Sequence, residues 1–377
     1  MNRLKEVAAV FLKLGFLGFG GPAVHIAIME EEVVRKRKWM THEHFLDLIG
    51  ATNLIPGPNS TEMALHCGKE RAGWKGLLLA GACFILPAVF ITGAFAWLYQ
   101  QYGASPNIQP YIYGIKPAII GVITSLMVTL GKKAIKSVEL AIVGTGALAL
   151  AIAGVNEAII LFGMGGVGMA IHVIKSSPDK VVSFVPLLFA FPLSANTKPA
   201  GWKIFWIFLK VGSILYGSGY VLFSFLNSEL VKPGLLTQQV LTDAIAVGQF
   251  TPGPVFSSAT FIGWQMNGLS GAILATLGIF LPSFLFVGLL NPLVYRLRQS
   301  KILSAFLDAV NVTAIALILT VCFELGRSAI SSWQTIVIAI AGFAFSLYFK
   351  KLNTAFIITG GALIGYLLTL GSPSVAF

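Results

Sequence analysis

Charged residues are scarce in this sequence. Lysine and arginine number 26 and aspartate and glutamate 15 in 377 residues, so charged residues make up 11% of the chain, less than half of the ~25% typical of soluble domains. Apolar residues reach 56%, and another 40 residues are glycine. A soluble fold needs more polar side chains than this to cover its surface. The composition therefore excludes a soluble enzyme and a disordered chain, and it predicts a polytopic integral membrane protein.

Cysteine is scarce too. The three cysteines, Cys67, Cys83 and Cys322, lie far apart and match neither a disulfide framework nor the spacing of a metal site. The chain also lacks the glycine-rich loop with a following Lys-Ser/Thr that cradles a nucleotide phosphate. No group of residues points to catalysis. We therefore expect no metal, no cofactor and no enzymatic activity.

The net charge of +11 comes from basic residues in short loops between apolar stretches, as at Arg35, Lys36, Arg37 and Lys38. Membrane proteins carry such a bias in the loops on their cytoplasmic side. A nucleic-acid-binding protein would instead need a basic face on a soluble module. The charge therefore indicates topology in a lipid bilayer, with no nucleic-acid partner.

The sequence contains an internal repeat. Landmarks of the first part return in the same order and at nearly constant spacing in the second part. The matched pairs are 11–15 with 208–212, Asp47 with Asp243, Pro-Gly-Pro at 56–58 with 252–254, and Pro87 with Pro282. These matches predict an N-terminal repeat over 1–180 and a C-terminal repeat over 203–377, joined by a linker over 181–202.

Long apolar stretches predict about ten membrane-spanning helices, since a helix needs about 20 apolar residues to cross a bilayer core. They lie at 5–28, 76–99, 111–130, 138–154 and 157–174, and again at 203–226, 271–294, 303–323, 333–349 and 353–371. Two further stretches, 45–66 and 239–265, have Pro-Gly-Pro in their middle. Proline removes an amide donor, so these stretches predict broken or re-entrant helices in an all-α integral membrane fold.

Loop charges indicate how the two halves are oriented. Basic residues flank the first Pro-Gly-Pro stretch, whereas only Lys232 flanks the second. In the next loop the difference in charge between the two halves is reversed, because 100–110 has no basic residue and its counterpart in the second half holds Arg296, Arg298 and Lys301. Opposite bias in equivalent loops predicts an inverted-topology repeat, which is common in secondary transporters.

The two Pro-Gly-Pro segments are the candidate substrate site. In each, a helix breaker is followed by residues that can start a helix, and a helix N-terminus attracts anions through its free amides and dipole. The candidate residues are Pro56, Gly57, Pro58, Asn59, Ser60 and Thr61 in the first repeat, and Pro252, Gly253, Pro254, Ser257 and Ser258 in the second. The alternative is a structural kink whose hydroxyls cap their own helix.

Two lysines inside apolar spans, Lys13 and Lys210, are further candidates, because a lysine there is costly without an anion nearby. The alternative is that each lysine snorkels to the headgroups. The glycine-rich break at Gly20, Gly21 and Pro22 completes the candidate set for substrate binding.

Proton coupling requires titratable groups at membrane depth. Four residues qualify: Asp47 and Asp243, which occupy equivalent positions of the repeat, Glu62 just after Thr61, and His25 after the glycine-rich break. For the two aspartates the alternative role is hydrogen bonding to helix ends.

The motifs at 19–25, 51–63, 71–76, 248–255 and 259–264 resemble those of the chromate ion transporter family in its long, two-domain form. The resemblance implies a multi-pass protein of the bacterial inner membrane that exports chromate, uses the proton-motive force and confers chromate resistance. It places the transport residues in the two Pro-Gly-Pro segments and in Phe-Gly-Gly-Pro at 19–22. The second half departs from the pattern, with Tyr-Gly-Ser-Gly at 216–219.

Several alternatives remain open at this point. Sulfate closely resembles chromate as a tetrahedral dianion, so transport of sulfate or another oxyanion fits the same residues. A passive anion channel fits them too. The oligomeric state is also open, a homodimer included.

Overall fold

The computed structural model describes residues 2–19, 21–103, 105, 108–176, 201–216, 219–289, 300–349 and 353–370. Within these ranges the chain forms helices and connecting turns, and no strand occurs. The expected all-α fold is therefore confirmed. Gly20 and the linker up to residue 200 lie outside the described residues.

The first repeat contributes seven helices. They are α1 (Arg3–Leu17), α2 (Pro22–Met29, extended by a π-helical turn over Glu30–Lys36), α3 (His42–Thr52), α4 (Asn59–Tyr102), α5 (Gln109–Ala134), α6 (Val138–Ile152) and α7 (Glu157–Ser176).

The described part of the second repeat follows the same order. Its helices are α8 (Gly201–Ile214), α9 (Val221–Leu226, extended by a π-helical turn over Asn227–Val231), α10 (Gln238–Phe250), α11 (Ser258–Leu289, preceded by a 3-10 turn over Val255–Ser257), α12 (Lys301–Ala329), α13 (Trp333–Tyr348) and α14 (Thr354–Leu370). Even the π-helical turns recur in equivalent places.

Five helical segments of the described chain are long and apolar enough to cross a membrane, and four shorter apolar helices accompany them. The five are Asn59–Tyr102, Gln109–Ala134, Glu157–Lys175, Val255–Leu289 and Lys301–Ala329. Large apolar side chains such as Phe90, Ile142 and Phe323 lie exposed on the outer surface. The protein is therefore a multi-pass membrane protein.

The spans expected at 5–28 and 203–226 are each interrupted, in the first repeat at the glycine-rich break that the sequence predicts. Helix α1 ends at Leu17 and α8 ends at Ile214, and a new helix begins only at Pro22 and Val221. In the first repeat the break includes Gly21, whose φ of +84° suits glycine better than other residues. Each repeat therefore opens with a broken helix.

Helix α4 folds back on itself at Ala72 and Gly73, and α11 does so at Asn267 and Gly268. The backbones on either side of the turn touch, since a side chain on Gly68 or Gly76 would collide with the other residue. The same contact joins Gly263 and Gly271 in α11. Each helix is thus a hairpin with a short arm (59–71 or 258–266) packed along a long arm (74–102 or 269–289).

The two repeats interleave. Helix α5 of the first repeat packs against α13 and α14 of the second, while α12 of the second packs against α6 and α7 of the first. The close approach is glycine-dependent, as at Gly114 against Gly361 and Gly121 against Ala339. The Tyr113 hydroxyl also lies 2.5 Å from the Ser332 hydroxyl, which caps α13. Each repeat therefore covers its helices with helices of the other.

Equivalent helices of the two repeats cross in opposite directions. In α5 and α12, Thr124 lies beside Cys322 and Ile120 lies beside Gly326. The long arms of α4 and α11 show the same relation, with Trp74 against Gly288 and Gly81 against Phe284. In each pair, residues later in one helix contact residues earlier in the other, so the two helices are antiparallel.

Candidate functional site

Each Pro-Gly-Pro break is hydrogen-bonded to the first broken helix of the other repeat. The Gly57 amide donates to the carbonyl of Leu215, and the Gly253 amide donates to the carbonyl of Gly18, both at 2.8 Å. Both glycines have positive φ, +142° and +89°, so the crossing requires a backbone that glycine adopts readily. The helix breaks found in the sequence therefore meet at the centre of the protein.

Two helix starts face this centre. Helix α4 begins at Asn59, and Thr61 and Glu62 donate their amides to the Pro58 carbonyl. Among the described residues, no hydrogen bond engages the amides of Asn59 and Ser60, which have no partner one turn earlier in the helix. The 3-10 turn over Val255–Ser257 begins in the same way after the second break.

A cavity of about 420 Å³ lies between these helix starts. The first repeat lines it with Pro58, Asn59 and Ser60 and with Gly21 and Pro22 of its other break. The second repeat lines it with the equivalent Gly219 and Tyr220 and with Val255 and Phe256. Where the first repeat has the polar Asn59 and Ser60, the second therefore has the apolar Val255 and Phe256, and Asp308 and Asn311 of the second repeat also line the cavity.

Two lysines that the sequence analysis missed line the same cavity, Lys133 and Lys136. Lys136 pairs with Asp308 at 2.7 Å, whereas Lys133 has no hydrogen-bond or ion-pair partner among the described residues. Both follow the end of an apolar span, where lysine is common, so the sequence pattern alone does not distinguish them. The cavity therefore combines free amides with one unpaired cation.

The lysines expected at the site have carboxylate partners instead. Lys13 binds Glu32 at 2.9 Å and Lys210 binds Glu229 at 2.7 Å. Neither lysine is among the described residues that line the cavity, and their part in substrate binding stays a prediction. The Glu32 side chain is buried in the π-helical turn that extends α2. The repeat itself pointed to Glu32 and Glu229, which are spaced as Lys13 and Lys210 are.

Glu62 lies beside the first break. It is fully buried, and neither carboxyl oxygen has a hydrogen-bond partner in the described chain. A side chain on Gly57 would collide with the Glu62 carboxyl and with the buried hydroxyl of Ser283. Beside the second break the corresponding places hold Ser258 and, from the first repeat, Ala88, so this acid occurs beside one break only.

The other titratable candidates have defined partners. Asp243 is buried, accepts a hydrogen bond from the Tyr99 hydroxyl at 2.6 Å and pairs with Lys116 at 3.4 Å. The Nε2 of His25 donates to the Gly18 carbonyl at 2.7 Å, the same carbonyl that binds Gly253. Asp47 lies half-buried on α3 and does not line the cavity in the part of the chain that the structure describes.

The hydroxyl-bearing residues Thr61, Ser257 and Ser258 do not line the cavity in the part of the chain that the structure describes. Ser257 accepts a hydrogen bond from buried Thr92 at 3.2 Å. Ser258 donates a hydrogen bond to the Val255 carbonyl at 2.9 Å, within its own helical turn. Thr61 is buried with its hydroxyl unpaired in the described chain. Pro56, Pro252 and Pro254 form the turns themselves.

Comparisons with known proteins agree with this architecture. A family model described as "Chromate transporter" matches residues 5–169 and again residues 202–366. The "Probable chromate transport protein" of Synechococcus elongatus is 30% identical, over 96% of this chain and 95% of its own. The "Chromate transport protein" of Cupriavidus metallidurans is also 30% identical, over 96% and 92%, and that of Pseudomonas aeruginosa is 27% identical over 96% and 92%.

No solved structure matches the chain. The family match nevertheless covers both repeats and most of the sequence, and the relatives are aligned over nearly their full length as transport proteins rather than enzymes. The chain therefore belongs to the chromate transporter family.

Proposed function

We propose that the protein exports chromate from the cytoplasm across a bacterial inner membrane, driven by the proton-motive force, and that this export confers resistance to chromate. The observation that carries the proposal is the cavity at which helix starts from both repeats meet. The names of the full-length relatives supply the substrate.

The cavity suits a small divalent oxyanion. Chromate is a tetrahedral dianion whose oxygens accept hydrogen bonds. The free amides of Asn59 and Ser60 and the positive end of α4 supply donors and partial positive charge. The Lys133 ammonium adds a full charge at the cavity wall. The apolar residues Val255 and Phe256 on the opposite wall exclude water, which strengthens these electrostatic contacts.

An inverted-topology repeat gives this cavity access to both sides of the membrane. The antiparallel crossing of α5 with α12, and of the long arms of α4 and α11, supports a pseudo-twofold axis perpendicular to the helices. In such transporters one repeat moves against the other around a fixed central site. The hydrogen bonds of Gly57 and Gly253 lie where the two repeats would move past each other.

Glu62 is the group that we assign to proton coupling. Asp243 already has a cation partner in Lys116, and His25 donates to a backbone carbonyl. Glu62 has neither. An ionised carboxylate is unstable in a buried place without a partner, so charging Glu62 requires the break beside it to open. Proton binding is thereby linked to the position of the substrate break.

The test is chromate uptake into everted membrane vesicles from cells that produce the protein. We expect accumulation when the vesicle interior is acidic, and loss of accumulation when an uncoupler is added. Uptake that follows only membrane potential and does not respond to the pH gradient would indicate a passive channel. Excess sulfate that abolishes chromate uptake would move the substrate assignment to sulfate.

A further inference from the structure

The short arm of α4 carries three ionisable residues at four-residue spacing, Glu62, His66 and Glu70. Residues four apart lie on the same face of a helix, with Cβ atoms about 6 Å apart. Glu62 and His66 are both buried, whereas the Glu70 side chain is 36% exposed. The three residues therefore form a row that runs from the first Pro-Gly-Pro break to the outer end of the arm.

The buried members of the row have no hydrogen bonds. Both carboxyl oxygens of Glu62 and both ring nitrogens of His66 lack a partner among the described residues. Most buried polar atoms in proteins are paired, and an unpaired one costs about 1–3 kcal/mol. Two such side chains on one face of one helical arm are unusual, and this points to a function other than stability.

Each end of the row meets a different environment. At the outer end, Glu70 lies 3.4 Å from His44, and the His44 side chain is 44% exposed. At the inner end, Glu62 lies beside Gly57 and the unpaired hydroxyl of Ser283. The row therefore joins a surface pair of titratable groups to the break that moves with the substrate.

The other charged groups around His66 are occupied. Lys69 donates to the carbonyls of Val287 and Gly288 at 3.2 and 2.8 Å, and Arg71 binds Glu6 of α1 at 2.5 Å. Helix α3 brings His44, which is engaged with Glu70. The long arm of α11 has no ionisable residue over 281–289. His66 is thus the group that can accept and release a proton between Glu70 and Glu62.

The second repeat does not have this row. At the corresponding positions its short arm carries serine (Ser257 and Ser258), Phe261 and Gln265. Phe261 is buried as His66 is, so the position tolerates an aromatic side chain that carries no proton. The row is therefore confined to one of two otherwise equivalent helices.

We propose that Glu62, His66 and the Glu70–His44 pair form a proton path along the short arm of α4, with His66 as the relay. A proton from water binds at the outer pair and passes to one ring nitrogen of His66. The other ring nitrogen then releases its proton to the Glu62 carboxylate. One proton has thereby moved inward: the outer pair has given up the proton that it took from water, His66 is neutral again in its other tautomer, and Glu62 is a neutral acid. The path rests on the proposed proton-driven export, since it supplies the proton for Glu62.

The experiment uses the purified full-length protein in liposomes that contain chromate and a pH-sensitive dye. Exchange of labelled for unlabelled chromate, without a gradient, measures the substrate site alone. Accumulation driven by a pH gradient, together with chromate-dependent proton flux, measures coupling. We expect His66→Phe and His66→Gln to keep exchange and to lose both gradient-driven accumulation and proton flux. Cys67→Ala, a change in the adjacent buried residue, is expected to keep all three activities.

The outcomes separate the path from the proposed function. Wild-type coupling that persists unchanged in both His66 variants would overturn the path and leave proton-driven export standing. A wild-type protein with exchange but no proton flux would overturn both. Loss of exchange in both variants would assign His66 to the fold or the substrate site, and it would also overturn the path.

Discussion

The amide of Gly253 donates a hydrogen bond to the carbonyl of Gly18, 2.8 Å away, across the boundary between the two repeats. The Gly18 carbonyl also accepts a hydrogen bond from His25, and Gly57 forms the equivalent bond with Leu215. Because each break is held by the opposite repeat, a change at one break affects the geometry of the other. The proposed substrate site therefore depends on both repeats together.

Replacing Gly57 with alanine should abolish transport. The new methyl group would collide with the Glu62 carboxyl and the Ser283 hydroxyl, at a φ of +142°. Gly234→Ala is the matched control, since Gly234 also has positive φ, +76°, but a methyl group there meets no atom within 4 Å. We expect the control to lose about 1 kcal/mol of stability and to keep transport. Chromate uptake by everted vesicles and thermal unfolding in detergent measure the two effects, and equal loss of transport in both variants would argue against the close contact.

Replacing Lys133 with glutamine should weaken chromate binding. The change removes the one unpaired cation among the described residues that line the cavity, and a hydrogen bond to a charged group contributes about 1.5–3 kcal/mol, or at least tenfold in KM. Lys133→Arg should largely restore KM. Lys132→Gln is the control, because Lys132 is exposed in the same helical turn and does not line the cavity. Equal KM values for the two glutamine variants would exclude a direct role of Lys133.

The repeat in the sequence predicted more of the site than any single motif did. Gly21, Pro22, Pro58, Asn59 and Ser60 lie at helix breaks that the sequence predicts, and they line one cavity. Proline and glycine act on the backbone locally, so their effect is visible in the sequence.

The local sequence around a residue does not predict which distant residue it contacts. The carboxylates bound by Lys13 and Lys210 lie beyond a helix break, so only their equal spacing in the two repeats indicates the pairing. The packing of α5 on α13 and α14 depends on where small residues such as Gly114 and Gly361 meet. Because the apolar spans have similar compositions, their sequences do not predict which helix packs against which.

Removing one partner of the Lys210–Glu229 pair should destabilise the protein. The Lys210 side chain is only 23% exposed and lies 2.7 Å from the carboxylate, and breaking a partly buried pair costs more than breaking an exposed one, because solvent screens it less. Lys210→Met should therefore lower the melting temperature more than Lys13→Met, since the Lys13 side chain is 55% exposed and solvent screens its pair.

The double variant Lys210→Met/Glu229→Gln decides between a structural and a substrate-binding role. If the lysine acts only through its pair, removing both charges should restore much of the stability and of the chromate uptake. If Lys210 binds the oxyanion, stability should recover while uptake stays lost. Thermal unfolding in detergent and vesicle uptake, measured on the same preparations, give the two readings.

Separating the chain within 181–202 should yield halves that function only together. Helix α5 lies against α13 and α14, and α12 lies against α6 and α7, so each half made alone exposes helix faces that the other half normally covers. We expect 1–180 and 203–377, produced separately, to be degraded or aggregated, and their co-production to restore chromate uptake and co-purification through a tag on one half. A first half that is stable alone and transports chromate as a homodimer would contradict this, since α6 and α7 of a second copy would then replace α13 and α14 against α5.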